Sequence, residues 1–177
     1  MMLLAIDPGP VQSGVAWWNG IEARGEILPN HSALALIWDI AQPADIVAFE
    51  QFVPMGQRVD DNSIKTCEFT GVLKHTLRQF GHSLLPISRR EVKQHVLGRV
   101  TGTDADVRAA LIARFGPPGT KSAPGTLHGI TGHMMAAFAV AVTAYDQAVG
   151  RDLWCAKKEA EGIKPWRAEE WAKGKTW

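Results

Sequence analysis

The chain has 177 residues, 46% of them hydrophobic and 21% charged, with a formal net charge of +1; such a length and apolar content suit one globular domain, 1–150, with a sizeable core and exclude a mostly disordered chain. Its two cysteines, Cys67 and Cys155, lack the spacing of a disulfide framework or a zinc ribbon, so a reducing, cytoplasmic compartment is expected. The opening MMLLAIDPGP has no basic region of the kind a signal peptide carries, and the longest apolar run, 134–144, is too short to span a bilayer, so no membrane association is expected.

In chain order, MLLAID is a short, wholly apolar run closed by Asp-Pro-Gly, the pattern of a buried strand ending in a turn. SGVAWWNG and IEARGEIL predict two more strands, joined by a two-residue hairpin at Asn19-Gly20. HSALALIWDIA has helical spacing, with Ser32 as a cap, and DIVAFE is a second apolar strand ending in an acid. Helices are predicted over 60–80 and 88–98, with a strand, HSLLPI, between them and Gly98 as a stop; a further helix spans 104–115 with Thr103 as cap. A Ser/Pro/Gly loop leads to a long apolar helix over 129–149. Residues 151–177, with Trp154, Trp166, Trp171 and Trp177 among mixed charges, differ in composition and read as an appended tail. Antiparallel strands followed by alternating helices and strands predict an α/β fold with a mixed sheet flanked by helices.

Charge is unevenly spread. Residues 1–56 carry one Arg against six acids, whereas 57–121 carry eleven Lys and Arg against six acids. A nucleic-acid face and ordinary solvated helix surfaces both account for this local excess.

Two acids, Asp7 and Glu50, each end an apolar strand. If the two strands are neighbours, both carboxylates project from one end of the sheet and provide the hard oxygen ligands that Mg²⁺ prefers. An acid in such a place is often only a turn residue, but DIVAFE sets a carboxylate directly after a fully apolar strand, where packing offers no reason for one.

The stretch LLAIDPGPVQSGVAWW resembles the first motif of the RuvC family of Holliday junction resolvases, and FEQFV resembles its second. NSIKTCEFTGVLKHTL and EVKQHVLG follow in family order, and HMMAAFAVAVT takes the place of the family's final helix, D-x-x-D-A-[apolar]-A-[apolar]-A. The resemblance runs from Leu3 to about Tyr145. It implies a ribonuclease H-like fold and Mg²⁺-dependent nicking of branched DNA, four-way junctions above all, through two ions for which Mn²⁺ can substitute. It also implies a C2 homodimer and the cytoplasm of a bacterial or phage-infected cell.

Carried across residue by residue, Asp7 and Glu50 match the first two acids and His133 the first position of the last motif, as metal ligands; His133 either ligates an ion or orients the attacking water. The motif's second acid falls on Ala136, one helical turn later and on the same face. Asp146 lies too far along the helix to replace it, and Asp104 and Asp106 are expected to serve as capping acids at the start of their helix. Lys93 is the family-like candidate for a phosphate contact, with Arg89 and Arg90 on neighbouring faces, and Arg108 stands near where the family has a second lysine. Phe52 is either core or a wedge between bases, and Arg58 lies in a loop able to enter a junction. Two readings stay open: a junction-resolving endonuclease slowed by Ala136, and a junction-binding protein without catalysis. An actin-like nucleotide-binding fold is set low, because the chain lacks a second Asp-x-Gly phosphate turn.

Overall fold

The computed structural model describes residues 2–39, 46–54, 56 and 59–160, with the backbone alone for 37–39 and 151–160. Five strands form one sheet: β1 (Leu3–Asp7), β2 (Gln12–Trp18), β3 (Ala23–Pro29), β4 (Ile46–Gln51) and β5 (Leu84–Ser88), in the order β3-β2-β1-β4-β5. The hairpin strands pair antiparallel, and β4 and β5 run parallel to β1, which gives the expected mixed sheet.

The central strands are apolar throughout because helices cover both their faces. Alternate residues divide cleanly. Leu4, Ile6, Val15, Val47 and Phe49 pack against Leu73 and Leu77 of α2 (Asp61–Gln79), while Leu3, Ala5, Ala16 and Ala48 face the apolar side of α5 (Gly132–Ala160). Alanines on both sides of the second interface let α5 lie close to the sheet, and Phe138, fully buried among Trp18 and Phe115 in edge-to-face contacts, contributes roughly 2–3 kcal/mol by its burial.

Local signals placed most helix boundaries. Asp60 caps α2 and accepts from the Ser63 backbone N–H at 2.8 Å. Helix α3 (Arg89–Leu97) opens with a reciprocal Ser88–Glu91 capping box and stops at Gly98, whose φ of 69° suits glycine; α4 (Asp104–Phe115) opens with the same device between Thr103 and Asp106. Four expectations need correction. Helix α1 (Asn30–Asp39) begins directly after β3, so Ser32 lies inside it rather than capping it. Asn30 does a different job: its side chain accepts from Ser13 Oγ at 2.8 Å and donates to the Gly9 carbonyl at 3.0 Å, which ties this helix start to the Asp-Pro-Gly turn. The Asn19-Gly20 hairpin closes over four residues, not two, because the Asn19 carboxamide accepts from the backbone N–H groups of Ile21 and Glu22. Helix α5 starts at Gly132, after a turn through 126–129, and continues past 151 to Ala160; residues 161–177 of the expected tail lie outside the described residues. The loop before α5 also contains a small hairpin, β6 (Gly119–Thr120) and β7 (Ala123–Pro124), that no sequence signal marked.

Candidate active site

In the parallel pair β1–β4, Ile6 stands opposite Phe49, so Asp7 and Glu50 are the next residue on each strand. Residues alternate faces along a strand. Asp7 therefore shares the face of Leu3 and Ala5, and Glu50 that of Ala48, which is the side covered by α5. The two carboxylates emerge together at one end of the sheet, with side chains only 14% and 18% exposed.

Helix α5 delivers His133 to the same place. Its first turn crosses β2 over Gly14, the residue paired with Asp7, so closely that a Cβ at Gly14 would stand 2.2 Å from the His133 carbonyl oxygen. Glycine is required there by proximity. His133 Nδ1 lies 3.0 Å from Asp7 Oδ2; with Asp7 ionised, Nδ1 donates and Nε2 is left as an acceptor on a ring whose side chain is 59% exposed. Gly14→Ala is expected to push the start of α5 off the sheet, lowering stability by about 1–3 kcal/mol through overpacking. Thermal melting read beside His133 chemical shifts checks this; an unchanged melt with an unmoved His133 ring would show that the helix start has room to spare.

Arg89 opens α3 immediately after Ser88, which pairs with Gln51, so its guanidinium reaches back to Glu50. Nη1 donates to Glu50 Oε2 at 3.0 Å and Nη2 donates to Asp104 Oδ1. Asp104 is the first residue of α4. These residues, with Ala105, Val107, Arg108, Gly132, Met135 and Ala136, line an open cleft of about 580 Å³.

Electrostatics set the two strand acids apart. Burial raises the pKa of Asp7, and the His133 hydrogen bond only partly offsets it. Burial likewise raises that of Glu50; Arg89 opposes the shift and the neighbouring Asp7 charge adds to it. In both groups the loss of solvation outweighs the partner each has, so the ionised forms gain from a further cation. Desolvation works against the Arg89 charge, yet Glu50 and Asp104 more than compensate and hold it firmly protonated. The donor set fits a hard divalent cation: carboxylate oxygens in a water-accessible cleft, poorly solvated by their burial. It is not a closed cage, since no three His, Cys, Asp or Glu side chains among the described residues are gathered into a ready metal centre.

Ala136 sits on the cleft wall one turn after His133, where the i, i+3 spacing put it. Arg89 departs from its expected place among the DNA-facing bases: it turns into the cleft and is bound by two acids. Arg90 is exposed on α3; Lys93 is half-buried, does not line the cleft, and lies near Asp106, whose carboxyl is held below the usual range by the Thr103 hydrogen bonds first, with lesser help from the charges of Arg99 and Lys93. Arg108 does line the cleft. Phe52 is half-buried just beyond β4, and Arg58 lies outside the described residues. Asp146 is held well away by Arg114, at 2.6 and 3.0 Å, and by His95 at 2.7 Å; despite partial burial, these bonds keep its carboxyl below the ordinary aspartate range.

Asp104 is the cleft residue that sequence reasoning did not place. It is a first-turn acid of α4, as expected, but the hydrogen-bonded cap is made by Asp106, whose carboxylate accepts from the Thr103 backbone N–H at 2.7 Å. A capping box joins the N-cap to the residue three places on, which selects Asp106 and leaves the Asp104 side chain able to turn to the cleft.

No protein-family model and no curated protein matches the sequence. In three dimensions the chain is similar to RuvC of Thermus thermophilus, with a TM-score of 0.63 at 20% identity over 85% of this chain and 97% of that one. It is similar also to T. thermophilus RuvC in complex with a Holliday junction substrate, with a TM-score of 0.61 at 18% identity over 84% of this chain and 94% of that one. The chain thus has the RuvC-like, ribonuclease H-like α/β fold. Among the described residues, no helix is long and apolar enough to cross a membrane.

Proposed function

We propose that the chain is a structure-specific endonuclease that binds four-way DNA junctions and nicks them by divalent-metal-dependent phosphodiester hydrolysis. The observation that carries this reading is the meeting of Asp7, Glu50 and His133 at one end of the sheet, in a fold shared with a protein whose structure includes a Holliday junction.

Asp7 and Glu50 would hold Mg²⁺, or Mn²⁺ in its place. Such an ion stabilises charge on the leaving 3′ oxygen and makes bound water more acidic. The chain's own residues supply the rest. Asp7 would hold the cation while its Oδ2, 3.0 Å from His133 Nδ1, keeps the imidazole in the tautomer whose Nε2 accepts a proton. The water oxygen bonds phosphorus as its proton passes to Nε2. The P–O3′ bond breaks with its electron pair on O3′, which takes a proton from solvent, leaving 5′-phosphate and 3′-hydroxyl ends. Arg108 on the cleft wall and the exposed Arg90 are suited to phosphate contacts, with Lys93 behind them. Paired cuts in a symmetric junction need two such clefts, hence a C2 homodimer. The outward-facing Ile64 and Val72 of α2, about half exposed, are consistent with an interface there.

Ala136 favours the second reading, a junction-binding protein that does not cleave. One set of assays addresses both. Gel-shift titrations against a synthetic four-way junction and a linear duplex of equal length are expected to show tighter junction binding that weakens steeply with salt. Incubation with Mg²⁺ is expected to yield slow nicks near the branch point. Equal affinity for both DNAs at matched salt would overturn the junction reading; selective binding without any nick in Mg²⁺ or Mn²⁺ would leave only the binding protein.

A further inference from the structure

Arg89 links two acids from separate elements, Glu50 near the end of β4 and Asp104 in the first turn of α4. The Ser88–Glu91 capping box fixes where Arg89 begins α3, and its planar fork then spans Glu50 on one side and Asp104 on the other. Asp104 takes no part in capping α4. A cation is thus built into the candidate metal site and clamped by carboxylates from two elements.

Charge shows what this does. Three carboxylates (Asp7, Glu50, Asp104) face two guanidinium groups (Arg89, Arg108) across the cleft, a formal excess of one negative charge with His133 neutral. One divalent ion and one DNA phosphate bring that balance to zero. A second divalent ion would bring an excess of positive charge and would find Glu50 and Asp104, the carboxylates on that side, already bound to Arg89. The wall where a further carboxylate would receive it carries only the Ala136 methyl group.

The geometry points to a one-ion site in which Arg89 is the resident second cation. Glu50 is shared between the metal and the guanidinium, and Asp104 holds the guanidinium in place. Arg89 replaces a second ion in neutralising charge on the scissile phosphate, but it does not acidify water as a metal does. This deepens the nuclease reading proposed above and rests on it.

The test counts ions rather than cuts. Mn²⁺ is titrated into the full chain and free Mn²⁺ is followed by electron paramagnetic resonance. Wild type is expected to bind one ion per chain. Arg89→Met, which keeps the length and frees the Glu50 and Asp104 carboxylates that the guanidinium occupies as oxygen donors for an ion, is expected to bind two; Arg89→Lys, which restores a cation between them, is expected to return to one. Two ions on wild type, or one on both wild type and Arg89→Met, overturns the proposal. If wild type with two ions still nicks junctions selectively, the nuclease reading stands and this inference alone falls. No bound ion on any of the three proteins overturns both this inference and the metal-dependent step, whereas junction preference is judged by the gel shifts.

Discussion

Glu50→Gln is expected to reduce Mg²⁺-dependent nicking by at least a thousandfold, about 4 kcal/mol of transition-state stabilisation, while junction affinity stays the same or rises. The amide nearly matches the carboxylate in shape but has no charge to give a metal. Glu50 lies at the cleft floor, 18% exposed, with a pKa raised chiefly by burial. It is thus a carboxylate whose ionised form is poorly solvated and gains from a nearby cation. Removing its charge also relieves repulsion of incoming phosphate, so binding and cleavage should separate. Two measurements check this: single-turnover cleavage of a labelled junction, and the rise in melting temperature that Mn²⁺ produces. Both the cleavage and the Mn²⁺-dependent rise should vanish in the variant. Normal cleavage by Glu50→Gln would move the metal site elsewhere.

The second large effect is expected in the opposite direction. Ala136→Asp should raise cleavage in Mg²⁺ about a hundredfold over the chain with alanine, roughly 2.7 kcal/mol. Ala136 already lines the cleft one turn after His133, so the new carboxylate enters the site with no rearrangement of α5. It adds an oxygen donor and one negative charge opposite the Arg89 clamp, and so supplies the compensation a second ion lacks. Most of the gain should appear in the rate at saturating enzyme, because the side chain acts on metal and phosphate charge rather than on the junction's shape. Full activity with alanine in place, and no gain from aspartate, would show that Asp7, Glu50, His133 and the resident arginine suffice.

Several features of this site were legible in residue order alone, and each rests on local physics. An apolar run of five or six residues ending in an acid marks Asp7 and Glu50 as the ends of two buried strands; that they share a face comes from the parallel pairing of β1 with β4. The capping boxes at Ser88 and Thr103 join residues three apart, so they form wherever those residues fall at a helix start. The alignment of His133 with Ala136 follows from helical pitch. Fold class followed from the order of these elements.

Other features were decided only by tertiary structure. Arg89 meets a carboxylate 39 residues earlier and another 15 residues later; its spacing on α3 made it look like any solvent-facing base. The need for glycine at position 14 comes from a helix that begins more than a hundred residues downstream. Asn30 reads as a helix-start residue, yet its side chain braces the turn after Asp7. Local spacing specifies a residue's face but not which element will cover that face. By itself, then, residue order determined the fold class and the two strand-end acids, and the family resemblance marked Ala136 as a gap. Only the packing of α3, α4 and α5 over the sheet decided that an arginine and a third carboxylate complete the cleft.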